Sequence, residues 1–66
     1  MNTTVNRPIR MTALSENSIV HTSELAAGGY STCFYHYGES SDMRQFTGRA
    51  SALKYHQDLV YRYWGQ

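Results

Sequence analysis

The chain of 66 residues contains one cysteine and one proline, and no long apolar run. Charge of one sign is also missing: six Lys and Arg face five Asp and Glu, for a net +1. Each shortage excludes something. A single cysteine cannot build the internal disulfide framework of a stapled secreted mini-protein. No segment approaches the roughly 20 apolar residues that cross a bilayer, and the opening MNTTVNRPIRMTAL is too polar for a secretory leader. These exclusions make the cytoplasm the expected location. A near-neutral chain offers neither the basic surplus of a strong phosphate binder nor the acidic surplus of a DNA mimic. At this length a domain buries only about 60% of its unfolded surface, so one thin core is the most it can build.

Aromatic residues are plentiful: six Tyr, two Phe and one Trp. Residues 1–17 read as a polar tail with scattered hydrophobics, or as an edge strand through Ile9, Met11 and Leu14. Residues 18–66 read as one small domain. Ser18–Glu24 (SIVHTSE) has strand composition, and Gly28-Gly29 marks the following turn. Tyr30–Tyr37 (YSTCFYHY) is the clearest strand. It carries Tyr30, Thr32, Phe34 and His36 on one face and Cys33, Tyr35 and Tyr37 on the other. A strand substantial on both faces is normally covered on both, by a helix on one side and by something else on the other, and for so short a chain another molecule is one candidate for the second cover. Gly38–Asp42 reads as a turn and Met43–Phe46 as a short returning strand, closing a hairpin over about 30–46.

From Arg49 to Trp64 there is neither Pro nor Gly, which predicts a C-terminal helix capped near Thr47 or Gly48. At 100° per residue, Ala52, Leu53, His56, Leu59, Val60, Tyr63 and Trp64 fall within an arc of about 140°. His56 therefore belongs in the core with hydrogen-bond partners. Lys54, Asp58 and Arg62 line the opposite, solvated side, while Tyr55 and Tyr61 lie off the apolar stripe. The expected architecture is α+β: a two- or three-stranded antiparallel sheet with one helix, about 49–64, packed on it.

The run Thr32-Cys33-Phe34-Tyr35, then a turn, then Arg44 and Phe46, then Thr47 and Ala52-Leu53-x-x-His56-x-x-x-Val60 resembles a family of very small phage and prophage proteins. Those have a T-x-x-[FY] strand, a turn, a second strand and a helix built around A-L-x-x-H. The resemblance spans about residues 30–64, with Ser31 where the family has Glu and one additional residue between Thr47 and Ala52. It implies a phage-encoded accessory protein with a β-β-α core, and it supplies no active site.

Reactive constellations are sparse. Cys33, His21, His36 and His56 are the residue types of a zinc site, but Cys33 and His36 point to opposite faces of one strand. A packed cysteine and a hydrogen-bonded core histidine are the simpler reading. A Cys33–His56 nucleophile pair would still need an oxyanion hole and a substrate pocket. No cofactor, metal or catalytic set is expected. Arg44, Arg49, Lys54 and Arg62 among tyrosines suggest an alternative function, a small nucleic-acid-binding or regulatory protein, opposed by the acidic residues among them. The aromatic surplus and the resemblance together favour a non-enzymatic protein that binds and inhibits a host protein, with anti-defence, anti-CRISPR-like inhibition the expected activity. Its contact residues are expected among Tyr35, Tyr37, Tyr55, Tyr61, Arg62 and the N-terminal tail. A homodimer pairing tyrosines across a two-fold axis is compatible with either function.

Overall fold

A computed structural model describes residues 6–64. Four strands, β1 (Arg7–Ser15), β2 (Ser18–Glu24), β3 (Tyr30–His36) and β4 (Glu39–Phe46), are followed by the helix α1 (Arg49–Tyr63). They form an antiparallel meander in the order β1-β2-β3-β4, with α1 across one face. The α+β class and the C-terminal helix match expectation, but the sheet has four strands rather than two or three. The edge-strand reading of the N-terminal stretch is the one observed for Arg7–Ser15, and Met1–Val5 lie outside the described residues. Backbone pairing to β2 outweighs the weak strand composition of β1, whose register shifts twice, between Pro8 and Arg10 and between Ala13 and Ser15. Such bulges and an edge proline are what an edge strand tolerates.

β4 also begins earlier than its composition suggests. The turn consists of Tyr37 and Gly38, and the polar Glu39-Ser40-Ser41-Asp42 stretch is already strand. An exposed edge strand needs partners for its backbone more than it needs apolar side chains. In the loop between β2 and β3, Gly29 is indispensable: its φ is +88° and a Cβ there would lie 2.9 Å from the Phe46 carbonyl oxygen.

The helix packs on the face of Val20, Thr22, Thr32 and Phe34. Val20, Phe34, Leu59 and Val60 form the apolar core, with Leu14, Tyr55 and Tyr63 packed against it. The Phe34 and Tyr63 rings stack with centroids 3.9 Å apart. Trp64 departs from the expected buried stripe. It follows the last helical residue with an extended backbone (ψ 127°), and 66% of it is exposed. Its position on an extrapolated helix therefore does not apply.

Beside the apolar cluster lies a buried polar chain. His56 is 1% exposed, and both its ring nitrogens are occupied: Nε2 lies 2.8 Å from Thr12 Oγ1 and Nδ1 lies 2.7 Å from Thr22 Oγ1. Thr22 Oγ1 is 2.8 Å from Thr32 Oγ1, which donates to the Ala52 carbonyl at 3.1 Å. Each hydroxyl has one proton, so the last bond orders all the others. Thr32 gives its proton to Ala52 and accepts from Thr22. Thr22, its own proton used, accepts from His56 Nδ1–H. The neutral ring then accepts at Nε2 from Thr12. Three strands and the helix are thus joined by one directed chain of four side chains.

Burial foremost, then the nearby Arg10 and His21, lowers the pKa of His56 below its ordinary 6.5. The folded ring resists a proton that the unfolded ring accepts near pH 6.5, so the unfolded state binds more protons below that value. The stabilising contribution is complete above about pH 6.5 and declines as pH falls toward the lowered folded value. Urea unfolding at about pH 7.5 and about pH 5.5 should therefore show a lower midpoint in acid with an unchanged slope. Thr22→Val keeps the shape but strands His56 Nδ1–H and removes the donor to Thr32. It should destabilise the fold by about 2–4 kcal/mol in the same assay at neutral pH.

Candidate docking surface

Strand alternation divides the sheet's charges unevenly. Arg10 is in register with Thr22, Arg44 with Thr32, Glu24 with Tyr30 and Glu39 with His36, all on the side of the helix. Asp42, at a bulge in β4, also meets the helix. Its backbone carbonyl accepts from the Tyr55 hydroxyl at 2.7 Å, and its carboxylate accepts from Tyr63 and lies 3.8 Å from Arg62. That hydrogen bond to Asp42 is the main reason the Tyr63 phenol is held above its ordinary pKa.

Among the described residues, no helix lies over the opposite face. Three rows of side chains cross it from β1 to β4. The middle row is Met11, His21, Cys33 and Met43; toward one end lie Ala13, Ile19, Tyr35 and Ser40; toward the other lie Pro8, Ser23, Ser31 and Gln45. None of these residues carries a formal charge at neutral pH when the histidine is neutral. Met11 and Met43 are each 58% exposed, whereas the smaller Cys33 is buried among its neighbours. Burial, and then the adjacent Cys33, raises the Tyr35 phenol above its ordinary pKa.

At the end of this face where both hairpin turns lie, an open groove of about 650 Å³ runs between Ile19, Tyr35 and Tyr37, bordered by Glu16 in the first turn. Tyr37 forms the tip of the β3–β4 hairpin. Tyr37 has φ 52° and Gly38 has φ 81°, the pair of positive values that a two-residue hairpin turn of type I′ requires. Asn or Gly fits the first of these positions; a bulky side chain is an outlier there. Tyr37 is nevertheless present, 70% exposed, and its ring meets His36 edge-on at 4.5 Å. Its backbone N–H donates to the Asn17 carbonyl at 2.8 Å, tying the two turns together.

The five expected contact residues do not form one surface. Tyr35 and Tyr37 meet at the groove. Tyr55 is not the exposed residue that its wheel position implied. It is half-buried over β4, with the Arg44 guanidinium 5.4 Å from its ring centre and Phe46 tilted beside it. A helical wheel centred on the apolar stripe omits that edge strand, so it misplaces the residue that reaches it. Tyr61 is 74% exposed on the helix near Trp64, on the other side of the molecule. Arg62 is drawn to Asp42. Met11, Ile19, His21 and Met43 were absent from the expected set, and they are the side chains that accompany Tyr35 on the bare face.

The reactive pairings also fall apart in space. Cys33 belongs to the bare face and His56 to the helix side, so the sheet separates them. His36 is held by Ser18 Oγ, 2.7 Å from its Nδ1, and stacks on Phe34, away from Cys33. No described helix is long and apolar enough to cross a membrane. No family model matches the chain, and no curated protein or solved structure does either.

The turn geometry makes Tyr37 a measurable cost to folding. Tyr37→Asn should stabilise the hairpin by about 1 kcal/mol, seen as a higher urea midpoint, because Asn occupies the left-handed region more readily. An unchanged or lower midpoint would mean that the contact with His36 already compensates the turn.

Proposed function

We propose that this chain is a non-enzymatic accessory protein that acts by binding another protein, with the groove at the hairpin end and the Tyr37 tip as its contact site. The observation that carries this reading is Tyr37 itself: a large aromatic, mostly exposed, at a position whose backbone favours Asn or Gly. Backbone strain of this kind concentrates where a side chain is needed for contact. Tyrosine suits the task because it is rigid, apolar on its faces and hydrogen-bonding at its end. Tyr35 and Ile19 extend the contact into the groove.

The resemblance to small phage proteins directs the reading toward a host protein as the target and inhibition as the outcome, in the host cytoplasm. A domain this small inhibits by occupying a surface its target needs. The basic residues weigh against nucleic acid as the partner. Arg44 lies over Tyr55, Arg62 lies beside Asp42, and neither is on the neutral face.

Capture from bacterial host lysate on immobilised protein should recover a stoichiometric partner. Tyr37→Asn, more stable but lacking the ring, should lose that partner, while Lys54→Ser on the solvated side of the helix should keep it. Recovery of the same partner at equal yield by Tyr37→Asn would remove the tip from the contact site. Duplex and single-stranded oligonucleotides should show no binding at low salt, where the electrostatic attraction is greatest.

A further inference from the structure

We propose that the bare, uncharged sheet face of the free protein is covered by the same face of a second copy, related by a two-fold axis that runs along the row Met11-His21-Cys33-Met43. The inference goes beyond the proposed target site: its Tyr37 tip lies at the rim of such a pair, while Ile19 and Tyr35 are reached by a target only when the pair separates.

Charge is the first argument. In a two-fold interface every residue near the axis meets its own counterpart, so any charge there would face a like charge. All the strand charges are in register with the helix side instead, and the bare face has none among its strand residues. The face is therefore compatible with itself without burying an unpaired ion.

Shape is the second argument. An axis along the middle row reverses strand direction, placing the bulky Ile19–Tyr35 end of one copy over the small Ser23–Ser31 end of the other. Large thus meets small at both ends, as the interlocking of two packed sheets requires. Met11 and Met43, each 58% exposed, flank the row and adapt their flexible side chains to the remaining gaps.

Area is the third. Four strands about 4.8 Å apart and about seven residues long present a footprint of roughly 450 Å². Two copies, with side-chain relief added, reach the roughly 1,000 Å² that separates specific interfaces from incidental contacts. The chain's thin core gives self-association a thermodynamic role, since domains of this size are marginal alone.

The test is the oligomeric state of the full chain by light scattering and sedimentation. At concentrations up to about 0.1 mM, the expected mass is twice the 7.6 kDa of the chain. His21→Arg places a cation on the axis of both copies and should weaken the dimer on the order of a hundredfold. Met11→Arg, at a more exposed position on the same row, should do likewise and serves if His21→Arg fails to fold by circular dichroism. Tyr61→Arg on the helix should leave the dimer intact. A monomeric wild-type chain throughout that range overturns the proposal, as does a dimer that survives a folded row variant or one that Tyr61→Arg disrupts. None of these results alters the lysate capture by which the target site is judged.

Discussion

The directed chain from Thr12 through His56, Thr22 and Thr32 to the Ala52 carbonyl is the constraint on which the rest of the structure depends. An apolar core of four buried side chains is small, and apolar contacts tolerate sliding. A chain of hydrogen bonds does not. Shifting β2 by one residue would carry Thr22 to the other face and leave an imidazole and two hydroxyls unpartnered in the interior, at several kcal/mol. The polar chain therefore fixes the register of the first three strands and the axial position of the helix together. The apolar cluster supplies cohesion, and the polar chain selects the arrangement.

Once the helix is fixed on that face, the charges follow. Asp42 gathers Tyr55, Tyr63 and Arg62 under the last turns of the helix, and Arg44 settles over Tyr55. Each of these contacts draws a polar group toward the helix side, where the edge strands extend past the core. The strand residues of the opposite face are neutral. Net charge conceals this division, because a total of +1 is equally consistent with charges mixed over the whole surface. What sets the binding character of a surface is the charge it carries locally, and here one face of the sheet carries none.

The strongest local signals in the chain were legible in its sequence. The alternation of Tyr30–Tyr37 and the uninterrupted helical stretch both name their elements, and the wheel places His56 in the core with Ala52, Leu59 and Val60. The edges were not. Glu39–Asp42 and Arg7–Ser15 are strands because neighbouring backbones need partners, a cause that composition does not record. Tyr55 was misplaced because a wheel centred on the apolar stripe does not show the edge strand β4, whose Arg44 and Phe46 it meets. The site was half legible. Two-sided substance in the Tyr30–Tyr37 strand pointed to a second cover, but which face the helix takes depends on Thr22 and Thr32 being needed by His56. Only the tertiary pairing reveals that need.

Tyr37 shows how a small fold accommodates an exposed aromatic side chain in a tight turn. Its cost is borne locally, in a turn closed by Gly38 and braced by the bond from its N–H to Asn17, and not in the core. A strained residue inside the Thr–His–Thr chain would threaten the register of the whole sheet, whereas a strained tip alters only the last pair of one hairpin. The same logic leaves the turns free of the packing that fixes the fold, which lies under the helix. The side chain at the hairpin tip can therefore change without disturbing the hydrogen-bonded chain that fixes the fold.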